Sequence, residues 1–179
     1  MIMHRVLALS LALVASGCAS ASDSPETTKA TFDQGLAAYD AKDYEKAFRI
    51  FSSIDDRDLA AMRNVALMLR KGEGTAKDPK AAEEMYARAA SGGLATAAAD
   101  LGEMLLKGEA GPPDAKAAAP WLAGAAEAGH PIAAFELAEM YEQGNGVPKD
   151  LAMARKLYRA AADAGYEDAK KRLAALPAS

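Results

Sequence analysis

Cysteine is almost missing from this chain. The single one, Cys18, has no partner for an intrachain disulfide and cannot build a cysteine-based metal cluster. Histidine is nearly as scarce: His4 lies in an apolar N-terminal stretch, which leaves His130 as the only one beyond it. Aromatics are 6% of residues and β-branched residues are few, so there is little material for a sheet. A formal charge of −4 supplies no basic field for nucleic acid or an anionic surface. No apolar run reaches the roughly 20 residues that span a bilayer. What remains in quantity is alanine, leucine and charge, a composition that favours helix. At 179 residues it suits one domain or a short array.

The N-terminus is read apart from the fold. Arg5 gives a short basic region and Val6 to Val14 a short apolar one, followed by Ala15-Ser16-Gly17-Cys18. The segment resembles a bacterial lipoprotein signal, with Ala15 departing from the branched aliphatic usual three before the cysteine. The resemblance implies removal of residues 1–17 and lipidation of Cys18, with several acyl chains anchoring firmly where one would not. Ala19 in place of aspartate after the cysteine implies the outer membrane, with the chain facing the periplasm. Ala19-Ser20-Ala21 is a rival cleavage site that would discard Cys18 and release a periplasmic or secreted protein, an unlipidated host-binding effector being the alternative function. Residues 18–29 are small and polar and are expected to be a flexible tether.

Beyond it, the chain repeats with a period of 36: Gly72, Gly108 and Gly144; Asp78, Asp114 and Asp150; Gly93, Gly129 and Gly165. Apolar columns keep the same register, as in Val65, Leu101, Leu137 and in Tyr86, Leu122, Tyr158. Each unit reads as two amphipathic helices. In the last, Ala133, Leu137, Ala138 and Tyr141 share one face, Gly144 ends that helix, and Asp150 caps the next. The spacing divides the chain into units 59–94, 95–130 and 131–166. A helix pair at 30–58 precedes them and a capping helix with a tail, 167–179, follows. Lys170, Lys171 and Arg172 are expected to give that cap a charged outer face. A helix pair cannot bury its own apolar face, so stacking into an α-solenoid follows.

The segment ELAEMYEQGNGVPKDLAMARKLYRAAADAGY, Glu136 to Tyr166, and its two counterparts resemble Sel1-like repeats, relatives of the tetratricopeptide repeat. The pair containing GLAAYDAKDYEKAF is similar to a tetratricopeptide repeat proper. The resemblance implies a right-handed, all-α solenoid with first helices lining a concave face, and a non-enzymatic role in binding proteins or peptides. The middle unit departs most: Ala110 replaces the second loop glycine, and Pro120, inside the second helix, is expected to kink it.

Candidate chemistry is thin. GNGVPKD, Gly144 to Asp150, lacks the glycine spacing and Lys-Ser/Thr pair of a phosphate loop, and Asp150 would repel the phosphate. His130 falls in an inter-unit turn with no second ligand, so neither metal nor cofactor is expected. Trp121 reads as core. A cysteine-rich subgroup of the family is linked to β-lactam binding, so a cell-wall or β-lactam hydrolase is an alternative reading. No serine is followed three residues later by lysine, and the paired cysteines are absent. By analogy with tetratricopeptide repeats, the groove positions are Phe32, Leu36, Arg63, Leu67, Arg70, Glu103, Leu106, Phe135, Glu139 and Glu142. They predict a shallow apolar groove running from basic to acidic that orients a bound segment.

Overall fold

The computed structural model describes residues 24–177; Cys18, its signal and the start of the tether lie outside them. The described residues form nine α-helices and no strand. They are α1 (Pro25–Asp40), α2 (Tyr44–Ser52), α3 (Leu59–Lys71), α4 (Pro79–Ser91), α5 (Ala95–Lys107), α6 (Ala115–Glu127), α7 (Pro131–Gln143), α8 (Leu151–Asp163) and α9 (Glu167–Ala175). Each helix packs on its sequence neighbours, and α5 also touches α7. That pattern of near-neighbour contact is an α-solenoid.

The tether is shorter than expected. Ser24 caps α1 by accepting the Thr27 N–H at 3.2 Å, and Pro25 takes the first helical position, so residues 25–29 are helical. The Ser-Pro-Glu start signal and the Thr28 and Thr31 hydroxyls, bonded to backbone carbonyls one turn back, outweigh the low apolar content.

The loop between the paired helices is a closed joint. Gly72, Gly108 and Gly144 end α3, α5 and α7 with φ of 77°, 67° and 75°. Asp78, Asp114 and Asp150 then cap the following helices with carboxylate bonds of 2.8–3.0 Å to backbone N–H groups. Their own N–H groups donate back to the carbonyls of Leu69, Leu105 and Tyr141, each at 2.9 Å. The loop's second glycine has a different task. A Cβ on Gly146 would lie 2.5 Å from the carbonyl of Ala115 at the start of α6, and one on Gly74 2.2 Å from the Tyr44 oxygen in α2. Bare backbone therefore lets each loop rest on the preceding unit. In the middle unit Ala110 cannot cheaply take that left-handed geometry. It turns its methyl into the apolar cluster of α3, α4 and α5 instead.

The core is a row of four such clusters, one for each successive stack. Ala47, Ala61, Ala66, Ala82, Ala89, Ala97, Ala118, Ala125 and Ala138 are completely buried. Small side chains at these contacts bring helix axes close and leave room for a few large ones: Tyr86, Leu122 and Tyr158, one column of the repeat. Trp121 packs between two clusters. Helix α6 is continuous through Pro120, whose ring is on the exposed side. The terminal α9 buries Ala169, and the following Leu176 closes the last cluster.

Gly146→Ala is expected to lose more stability than Gly129→Ala. Both require an L residue at positive φ, worth about 1–2 kcal/mol. Only Gly146 adds a backbone clash, about 1–3 kcal/mol more, because nothing lies within 4 Å of a Cβ at Gly129. Equal losses in chemical denaturation would remove the loop-on-helix contact from the account.

Candidate functional site: the face of the first helices

The first helices α3 and α5 of two successive units are joined by ion pairs. Arg63 of α3 donates from Nε to Asp100 of α5 at 2.6 Å. Arg70 reaches Glu103 at 2.9 Å and grips Glu109, in the following loop, with two nitrogens, Nε at 2.7 Å. Lys107 completes the set by donating to Glu103 at 2.5 Å. The Glu109 hydrogen bonds raise the Arg70 pKa, and Arg70 in turn holds Glu109 below the usual carboxylate range. Burial alone would raise Glu103, but Lys107 and Arg70 bring it down. Three cations thus answer three carboxylates between α3 and α5.

The expected groove residues therefore divide. Arg63, Arg70 and Glu103 clasp one repeat to the next. Glu142 does the same further on: it accepts from the Tyr158 hydroxyl at 2.7 Å and from Arg172 of α9 at 2.9 Å. Arg172 turns inward to α7, so the charged outer face of the cap comes from Lys170 and Lys171. Phe32 and Phe135 are packed rather than free. Phe32 lies 5.5 Å from the Phe51 ring, and Phe135 lies 5.4 and 5.0 Å from Tyr158 and Tyr166. Leu67 sits against the α3–α5 cluster. Leu36 is open to solvent at 38% exposure.

Leu106, Glu103 and Glu139 come together with residues that sequence reasoning missed. They line a cavity of ≈ 190 Å³ between α5 and α7, joined by Lys107, Glu136 and Asn145. Glu136 and Glu139 make no ion pair or hydrogen bond among the described residues. Burial, reinforced by Glu103, pushes Glu136 up to about 7, and burial also raises Glu139. The basic-to-acidic gradient is thus replaced by one negative pole on α7, because the arginines of α3 are already neutralised. Comparing the charged columns at the 36-residue spacing, rather than the apolar ones alone, would have revealed it.

His130 has the turn role its column suggests: it caps α7 by accepting the Ala133 N–H on Nδ1 at 3.3 Å. Burial lowers its pKa, which favours the neutral form this bond needs. No group of three or more His, Cys, Asp or Glu among the described residues is placed to hold a metal.

A family model for the Sel1 repeat matches residues 59–94, 95–130 and 131–166, well over half of the chain. The chain belongs to the Sel1 repeat family. Among solved structures, this Sel1 repeat chain is similar to a Sel1 repeat protein from Oxalobacter formigenes, at 31% identity and a TM-score of 0.74. That match covers 79% of this chain and 58% of the other, so the chain spans less than two thirds of that relative. An immunity protein of Pseudomonas aeruginosa, Pa5087, matches at 25% identity and a TM-score of 0.57, over 82% of this chain and 56% of that one. Cysteine-rich protein B of Helicobacter pylori shares the fold at 17% identity and a TM-score of 0.56, over 85% and 99%. No curated protein matches.

The two buried tyrosines of this Sel1 chain make a matched test. Tyr158 donates to Glu142, whereas the Tyr86 hydroxyl is buried beside Arg70 with no partner at hydrogen-bond geometry. Tyr158→Phe is expected to cost about 1–2 kcal/mol of stability, and Tyr86→Phe to be neutral or stabilising. A second test is pH. Because Glu136 is raised in the folded state, its favourable contribution is present below its unfolded value of 4.5 and is lost as pH rises through about 7. The melting temperature of Glu136→Gln should therefore gain on that of the parent as pH rises from 5 to 8, and parallel curves would contradict this.

Proposed function

We propose that this Sel1 repeat protein is a non-enzymatic scaffold of the bacterial cell envelope. Its face of first helices binds a protein or peptide segment, and lipid on Cys18 holds it to the outer membrane on the periplasmic side. The observation that carries the binding role is the pair of carboxylates on α7, half-buried, unpartnered and lining a cavity on that face. A solenoid stabilised only for its own sake would neutralise them as it neutralises Asp100 and Glu103. Unpaired charge at a partly desolvated site lowers stability and favours a partner of opposite sign. The Sel1 fold supports the reading because stacked first helices present an extended surface. The anchor rests on the Ala15-Ser16-Gly17-Cys18 segment.

Two measurements test the halves separately. Radiolabelled palmitate should enter the wild type and not Cys18→Ala; an unlabelled wild type would favour cleavage after Ala21. Capture from envelope extracts should be lost in Glu139→Lys or Leu36→Asp, both folded to the parent melting temperature. These positions are chosen because Arg63 and Phe135 hold the solenoid together, so changing them would confuse binding with stability. A partner that ignores both substitutions would move the site off this face.

A further inference from the structure

The 36-residue period allows each junction between repeats to be laid over the next. Between α3 and α5, Arg63 meets Asp100, and Arg70 meets Glu103 and Glu109. One period later two of the three carboxylates are kept, Glu136 for Asp100 and Glu139 for Glu103, while the neutral Asn145 stands for Glu109. Both arginines are gone. Ala99 takes the place of Arg63 and Leu106 that of Arg70. Where the first junction is filled by arginine side chains, the second has the ≈ 190 Å³ cavity lined by Glu136, Glu139, Asn145 and Leu106. In the first junction the carboxylates at these two kept positions each hold a guanidinium, Asp100 that of Arg63 and Glu103 that of Arg70.

Resting on the scaffold reading above, we propose that the cleft between α5 and α7 receives the guanidinium of an arginine presented by the partner. Glu139 takes toward it the part that Glu103 takes toward Arg70, Glu136 adds a second carboxylate at the position of Asp100, and Asn145 offers a single amide oxygen where Glu109 offers a carboxylate.

The chemistry favours arginine over lysine. Arg70 spreads its nitrogens over two carboxylates, and in the second cleft Glu136 and Glu139 are the two over which a planar fork can spread its donors and an ammonium cannot. Its side chain is 13% exposed there, so the position tolerates a nearly buried guanidinium when the acceptors surround it. Leu106 and Met140 offer apolar surface for the aliphatic stem. Lys107 at the rim is held by Glu103, and Arg172 by Glu142; Lys107 and Arg70 act on Glu136, and Arg172 on Glu139, from a distance only, which leaves both carboxylates without a direct ion pair. A bound guanidinium would also draw Glu136 back down from about 7, so that binding near neutral pH releases a proton.

The test uses blocked tripeptides with a central arginine, lysine or citrulline, titrated into the full chain and followed by carboxylate carbon NMR. The arginine peptide should shift the Glu136 and Glu139 signals saturably and lower the Glu136 titration midpoint. The citrulline peptide, of the same shape without the charge, should bind at least about tenfold more weakly, and lysine should fall between them. Glu136→Gln and Glu139→Gln, both isosteric, should each weaken the arginine peptide about tenfold. Leu106→Arg places a guanidinium in the cleft from within, so it should raise the melting temperature and abolish arginine-peptide binding. Equal binding of arginine and citrulline peptides, or no binding by the wild type, overturns the proposal. So does arginine binding that survives in Glu139→Gln. An envelope partner lost in Leu36→Asp but retained in Glu136→Gln and Glu139→Gln would sink the arginine cleft and leave the scaffold standing. Arginine binding in the cleft with no partner on the rest of the face would do the reverse.

Discussion

Close approach of helices through alanine is the constraint on which the rest of this protein depends. A helix pair of 36 residues has too little apolar surface to fold alone, and stacking supplies what is missing. Stacking needs contact surfaces that are small and regular, and the fully buried alanines provide them. The second glycine of the loop belongs to the same requirement, since Gly74 and Gly146 let loop backbone rest directly on the preceding unit. Once the units are this close, their first helices lie within reach of each other's charged side chains. The functional face is therefore a consequence of the packing distance.

That proximity explains why charge on the first helices has two uses. Between α3 and α5, arginines and carboxylates satisfy one another, and the junction is closed. Between α5 and α7, two of the three carboxylates are retained and the arginines are replaced by alanine and leucine. The first arrangement stabilises the solenoid, while the second leaves two half-buried carboxylates without an ion pair, which costs stability. Difference between repeats, rather than repetition itself, marks out the candidate site. The same holds at the C-terminal end, where Arg172 answers Glu142 and closes the stack.

Much of the scaffold was legible because it is encoded in local and periodic signals. Aspartate before a helix, glycine after one and apolar residues at helical spacing act over a few residues, and their recurrence leaves little freedom in the fold. Ser24-Pro25 was such a signal too, and the tether expectation passed over it in favour of composition. The site was less legible. Phe135 looked like a groove anchor because its position on α7 is right, yet its ring is taken up by Tyr158 and Tyr166. Arg63 and Arg70 looked available because their partners lie 37, 33 and 39 residues away, beyond any pattern local to one helix. Glu136 was missed because half-burial of a glutamate depends on a neighbouring helix.

By itself the sequence determined the helix count of each unit, the joints between them and the stacked architecture, because helix termini and apolar periodicity are properties of short segments. Only the tertiary structure decided which charges neutralise one another and which remain. Pairing depends on distances between atoms of different repeats, and those are set by how closely the helices pack.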